Sequence, residues 1–82
     1  MYSIEFSKTA EKQLYKLESG VRARIISTLE RCRIRPYHHV KRLTGMSYYR
    51  LRIGDYRAIL DIKDDKLMIL VIEIGHRKDV YK

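Results

Sequence analysis

Gly54-Asp55 separates two runs in which apolar and polar residues alternate, residues 47–53 and 56–63. A two-residue glycine-containing loop between alternating runs reads as a tight β-hairpin, and this constrains the fold more than any other stretch. With Gly54 and Asp55 as the loop, Ile53 faces Tyr56, Arg52 faces Arg57 and Leu51 faces Ala58. Strand alternation puts Leu51, Ile53, Tyr56, Ala58 and Leu60 on one face and gathers Arg50, Arg52 and Arg57 on the other. Like charges directly opposite on a sheet are destabilising. A chain that breaks a local rule this way commonly does so at a functional site. Three converging guanidinium groups form a receptor for a polyanion, above all the phosphates of a nucleic acid.

The rest of the charge points the same way. The chain has 82 residues, enough for one domain spanning 1–82, and a formal net charge of +8. Residues 31–57 hold Arg31, Arg33, Arg35, Lys41, Arg42, Arg50, Arg52 and Arg57 against Asp55 alone, so +7 of that +8 lies in 27 residues. Charge so localised implies an acidic partner rather than uniform solubilisation. The single cysteine, Cys32, excludes an internal disulfide and fits a reducing cytoplasm. No signal peptide is visible, and the apolar run of residues 67–72 is too short to span a bilayer, so no membrane role is expected.

Around the hairpin, residues 2–6 alternate like a strand. Ser7 can cap a helix bearing Ala10, Leu14 and Leu17 on one stripe, and Ser19-Gly20 interrupts it. A second helix carries Val21, Ile25, Leu29 and Cys32 on one face, widened by Ile26, and ends at Pro36. The short break predicts a helical hairpin. Residues 36–46 read as a basic loop, and strands follow over 47–53, 56–63 and 66–76. The expected fold is α+β, in the order β-α-α-β-β-β. A mostly antiparallel four-stranded sheet has the helix pair on one face, and the arginines project from the other.

The register of the last strand depends on the turn at Asp64-Asp65. A two-residue loop sends Arg77 to the face opposite Arg57. A three-residue loop or a bulge brings Arg77, Gly75 and Glu73 onto the face of Arg57. The second arrangement is preferred because it buries Met68, Leu70, Ile72 and Ile74 against the helices and gives Glu73 cationic neighbours.

The segments Lys41-Arg42-Leu43-Thr44-Gly45-Met46, Tyr49-Arg50-Leu51-Arg52, Gly54-Asp55-Tyr56-Arg57 and Ile74-Gly75-His76-Arg77-Lys78-Asp79-Val80-Tyr81 resemble, in order and spacing, the RelE/ParE toxin superfamily. Their ending is similar to the RelE branch of type II toxin–antitoxin systems, and the resemblance covers essentially the whole chain. It implies a ribosome-dependent, metal-independent endoribonuclease that cleaves mRNA in the ribosomal A site by attack of the 2′-hydroxyl on the adjacent phosphate. It also implies a RelB-like antitoxin partner, contacts with 16S and 23S rRNA, and no cofactor. The family's catalytic arginines and tyrosine match Arg57, Arg77 and Tyr81, and two basic residues of the preceding strand match Arg50 and Arg52.

The residues themselves suit that chemistry. Attack by the 2′-oxygen passes through a phosphorane whose oxygens gain negative charge, which forked guanidinium groups stabilise. Arg57 and Arg77 are therefore the expected transition-state stabilisers. Tyr81 can stack on a base or move a proton. Some family members carry lysines where this chain has Arg50 and Arg52, and arginine is a poor proton acceptor. Tyr81 and His76 are then the candidates for proton transfer, and Arg50 and Arg52 are expected to hold RNA. Lys41, Arg42, Tyr48, Lys78, Arg31 and Arg35 extend the expected RNA and ribosome surface. Ordinary strand packing is the plainer reading for Tyr49 and Tyr56. His38-His39 has no Cys or carboxylate at ligand spacing, so no metal site is expected, and Cys32 reads as core. Two other classes stay open: a ParE-like inhibitor of DNA gyrase, which shares the fold, and a noncatalytic nucleic-acid-binding relative.

Overall fold

A computed structural model describes residues 1–76 of the chain. The elements are β1 (Ser3–Phe6), α1 (Lys8–Tyr15), α2 (Ser19–Cys32), β2 (Val40–Arg42), β3 (Tyr49–Ile53), β4 (Tyr56–Lys63) and β5 (Met68–His76), with 3₁₀ turns at Pro36–His38 and Asp64–Lys66. The strands form one sheet in the order β1-β5-β4-β3-β2. β1 runs parallel to β5, and the other pairs are antiparallel. The helices cover one face, so the α+β class holds.

The sheet has five strands rather than four. Residues 40–42, expected in a basic loop, pair with β3: Val40 opposes Leu51, Lys41 opposes Arg50 and Arg42 opposes Tyr49. Only Val40 in this short run reaches the core, so its alternation is too brief to stand out in the sequence. The interhelical break also falls earlier than Ser19-Gly20. Glu18, with φ −64° and ψ 157°, caps α2, and both Ser19 and Gly20 lie inside it.

The core joins Ala10 and Leu14 of α1, Ile25, Leu29 and Cys32 of α2, Leu51 and Ile53 of β3, Ala58 and Leu60 of β4, and Ile69, Val71 and Ile74 of β5. The expected helical stripes are present, with one exception. Ile26, about 100° further round α2 than Ile25, passes the edge of the stripe and is 41% exposed.

At the hairpin, Arg52 opposes Arg57 and Leu51 opposes Ala58, as the Gly54-Asp55 loop predicts. Gly54 has φ +59° and Asp55 stays at negative φ, the pattern of a type II′ turn with glycine first. A Cβ at Gly54 would also meet Nη2 of Arg24 at 3.1 Å.

Between β4 and β5 the register slips by one residue. Ile59 opposes Glu73 but Leu60 opposes Val71, so Ile72 is a bulge. The bulge explains a correction to β5. Met68, Leu70 and Ile72 do not join Ile74 in the main core; Ile69 and Val71 do. An extra residue in mid-strand flips side-chain parity, so both halves of β5 bury an apolar set, offset by one residue. After the bulge Gly75 opposes Arg57, and Glu73 lies on the same face.

Helix α1 holds the bulge. Ser7 Oγ accepts from Ala10 N at 3.0 Å, capping α1, and donates to the Ile72 carbonyl at 2.7 Å. The backbone N–H of Ile74 donates to Gln13 Oε1 at 2.7 Å. Past Phe6 and Val71 the pairing with β1 has ended, and these side chains satisfy backbone groups that a strand would otherwise engage.

Candidate functional site

The face opposite the helices carries two cross-strand rows. Lys41, Arg50, Ile59 and Glu73 form one; Arg52, Arg57 and Gly75 form the next. Lys41, Arg50, Arg52 and Arg57, with His39 from the residue before β2, line a cleft of about 140 Å³. Neighbouring strands lie about 4.8 Å apart, so β2, β3 and β4 present these groups within the span of a few phosphates. Beside the cleft, Leu43 and Ile59 are buried together with Tyr48 and Ile72 packed against them. This second apolar cluster fixes the 43–48 connection over the sheet, where Leu43 N donates to the Tyr48 carbonyl at 3.0 Å.

The cleft is electrostatically unsatisfied. The ion pairs among the described residues are Arg33–Glu30 at 2.9 Å and Lys63–Asp61 at 3.1 Å, and neither involves the cleft. Arg52 Nε reaches only the Gly54 carbonyl, at 3.5 Å. Arg57 Nε is buried and has no hydrogen-bond partner among the described residues. A buried donor left unpaired costs about 1–3 kcal/mol, more for a charged group. An oxyanion in the cleft removes that cost and the repulsion between Arg52 and Arg57 together. Gly75 opposite Arg57 brings no side chain to cover it.

The cleft thus gathers Arg50, Arg52, Arg57 and Lys41 of the expected site. Tyr48 shares their face, with its ring in the Leu43–Ile59 cluster. Arg42 has the opposite parity, paired with Tyr49 on the helix side. Arg31 lies in the last turn of α2 and donates to Thr28 Oγ1 at 3.2 Å, and exposed Arg35 precedes the first 3₁₀ turn; neither lines the cleft. His76 opposes Tyr56 on the helix-facing side, with ring centroids 5.6 Å apart and planes at 71°. Arg77, Lys78 and Tyr81 lie outside the described residues. His39 is the addition the sequence reading missed. The signal was present, since His39 and Lys41 share a two-residue period, but it is legible only once β2 is known to be a strand.

Two tyrosines and the cysteine, all outside the cleft, have shifted titrations. Tyr37 OH donates to the Asp64 carboxylate at 2.8 Å and Tyr2 OH donates to Asp64 Oδ1 at 2.7 Å. Burial, then the hydrogen bond to Asp64, pushes the Tyr37 phenol well up. For Tyr2 the hydrogen bond to Asp64 is the leading cause of an upward shift. Burial raises the Cys32 thiol, against a smaller opposing pull from Arg31. Among the described residues no group of three or more His, Cys, Asp or Glu is arranged to hold a metal ion. No helix among them is long and apolar enough to cross a membrane.

Comparison with known proteins gives concordant matches. Residues 4–81 match the family model described as the ParE toxin of the type II toxin–antitoxin system parDE. A putative RelE-like toxin protein of Escherichia coli is 27% identical, over 98% of this chain and 90% of the relative. The mRNA interferase toxin RelE of Escherichia coli K12 is 30% identical, over 94% of this chain and 84% of the relative. Among solved structures, the toxin in the crystal structure of the toxin–antitoxin complex RelBE2 from Mycobacterium tuberculosis superposes with a TM-score of 0.84. It is 25% identical, over 95% of this chain and 93% of that one.

Proposed function

The chain belongs to the RelE/ParE superfamily of type II toxins, and on that premise we propose that it is a ribosome-dependent endoribonuclease that cleaves mRNA in the ribosomal A site and so stops translation. One observation carries the reading: the cleft of Lys41, Arg50, Arg52 and Arg57, unpaired by any carboxylate among the described residues and holding the Nε of Arg57, which has no hydrogen-bond partner among them. A cleft of that kind suits a phosphate whose charge grows during reaction. The family name of the RelE relative, an mRNA interferase, supports the same class.

In this mechanism the RNA supplies its own nucleophile. The 2′-hydroxyl attacks the adjacent phosphorus, so no metal-bound water is needed. Arg57 holds the non-bridging oxygens as charge accumulates, with Arg77 as its partner in that role and Tyr81 stacking on a base or assisting proton transfer. Arg50, Arg52 and Lys41 grip flanking phosphates. Arg42, Lys78, Arg31 and Arg35 contact ribosomal RNA, Tyr48 borders the message, and His76 is an alternative proton carrier. The ribosome contributes by orienting the codon for attack. The partner that silences the toxin is a RelB-like antitoxin, whose acidic segment neutralises the cleft; the toxin–antitoxin complex of the similar structure supports such a partner.

The test is to map cleavage of mRNA on programmed ribosomes by the wild-type chain and by Arg57→Ala, Arg77→Ala and Tyr81→Ala. Cuts within the A-site codon that fade in the variants support the reading. Intact mRNA with the wild-type chain sinks it. The family model's ParE description raises a second reading, inhibition of DNA gyrase. Loss of gyrase supercoiling activity that persists in all three variants would favour it.

A further inference from the structure

The proposed chemistry needs a group that takes the proton of the attacking 2′-hydroxyl. Arginine accepts no proton, which sets aside Arg50, Arg52 and Arg57. Lysine is ordinarily an ammonium at neutral pH and in that form only donates. His76 faces the helix side of the sheet, with its ring against Tyr56. Among the described residues that line the cleft, His39 is the one whose side-chain class both gives and takes a proton near neutral pH.

We infer that His39 is the group that takes the 2′-hydroxyl proton in this cleft, in place of the proton roles given above to Tyr81 and His76, an inference that rests on the ribonuclease reading. Its backbone is anchored, because His39 N donates to the Pro36 carbonyl at 3.1 Å where the 3₁₀ turn ends and β2 begins. Its side chain is exposed on the cleft. Among the described residues, the charged groups on that face are Lys41 from β2, Arg50 and Arg52 from β3, Arg57 from β4, Glu73 from β5 in the row of Ile59, and, further along β4, Asp61 and Lys63, which pair with each other. A phosphate held by the guanidinium groups would share the cleft of about 140 Å³ that the imidazole lines.

The step balances without another reactant. Neutral imidazole takes the proton of the 2′-hydroxyl as the 2′-oxygen bonds to phosphorus. The bond from phosphorus to the 5′-oxygen breaks, and the proton passes from the imidazolium through water to that oxygen. The products are a 2′,3′-cyclic phosphate and a 5′-hydroxyl, and the phosphate carries one negative charge before and after.

His39→Gln keeps the size and polarity of an exposed side chain, so the fold is expected to survive, and an unchanged melting temperature checks this. Single-turnover cleavage of mRNA on programmed ribosomes is measured across neutral pH for the wild type and for His39→Gln. Binding to an mRNA with 2′-deoxyribose at the scissile position is measured in parallel. The expected result is a rate lower by about 10²–10⁴-fold, loss of the acid limb of the wild-type profile, partial recovery with added imidazole and unchanged binding of the deoxy message. A variant that keeps the wild-type rate and acid limb overturns the inference and leaves the ribonuclease reading standing. A rate loss matched by an equal loss of binding also overturns it, because His39 is then only a phosphate contact. Failure of the ribonuclease reading is distinct: the wild-type chain itself leaves mRNA intact, and the inference falls with it.

Discussion

Arg57 is where stability and function oppose each other. Its charge sits across from Arg52, and its buried Nε has no partner among the described residues. Replacement by leucine removes both penalties and places an apolar side chain next to Ile59 on the sheet. Arg57→Leu is therefore expected to stabilise the free protein by roughly 1–3 kcal/mol, mostly from removal of the unpaired donor, with the cross-strand pair term the smaller part. The same change is expected to lower cleavage by about 10²–10³-fold, as for loss of an oxyanion donor. Denaturant melts and cleavage assays on one preparation check both, and a destabilised Arg57→Leu would show that the guanidinium is already satisfied. Gly54 is constrained for a different reason. Its φ of +59° strains any residue with a Cβ, a β-branched one most, and the Arg24 guanidinium over it must give way slightly, so Gly54→Val is expected to weaken the hairpin rather than alter its charge.

At the scale of elements, the bulge in β5 decides the site. It sets Gly75 opposite Arg57, and it is held by Gln13 of α1 and by Ser7, the cap that precedes α1. Gln13→Leu leaves the Ile74 N–H without its acceptor and is expected to cost about 1–3 kcal/mol. Ser7→Ala removes the cap of α1 and the donor to the Ile72 carbonyl, and is expected to cost about 1–2 kcal/mol. Both losses are read in urea unfolding. Hydrogen exchange at Ile74 distinguishes the first variant, because that amide exchanges faster only if its Gln13 partner has gone. The hairpin register and the helical stripes were legible in the sequence because glycine position and apolar spacing are local. Strand β2 was not, because three residues with one inward side chain carry too little periodicity. The bulge was legible only as one of two outcomes, since the residues that hold it, Ser7 and Gln13, lie about sixty residues away along the chain.

For the whole molecule, Asp64 ties three distant segments together through Tyr2 of β1 and Tyr37 of the first 3₁₀ turn. Both phenols are raised in the folded protein, so the fold holds their protons more tightly than the unfolded chain does. Their contribution is full below the ordinary phenol value near ~10 and is lost as pH rises through the folded values. Melting temperature is thus expected to fall in the alkaline range, and less steeply in Asp64→Ala. Absorbance titration checks the cause: in Asp64→Ala the Tyr2 and Tyr37 ionisations are expected to move down, with Tyr37 keeping the part of its upward shift that burial supplies. The basic face gives a second global expectation. Binding of a short single-stranded RNA weakens with salt at a log–log slope of roughly −3 if all four cations of the cleft engage phosphates. A slope near zero would mean that the cleft is not the RNA surface.

What the sequence determined by itself is whatever depends on near neighbours: an α+β order, the hairpin, two amphipathic helices and a patch of localised positive charge. Tertiary structure alone decided which cations share one cleft. It brought His39 and Lys41 beside Arg50, Arg52 and Arg57 by adding a fifth strand, and it left Arg31, Arg35 and Arg42 elsewhere. Sequence records charge along a line, whereas an anion responds to charge within a few ångströms. That distance is set by strand pairing and by a bulge whose support comes from the other end of the chain.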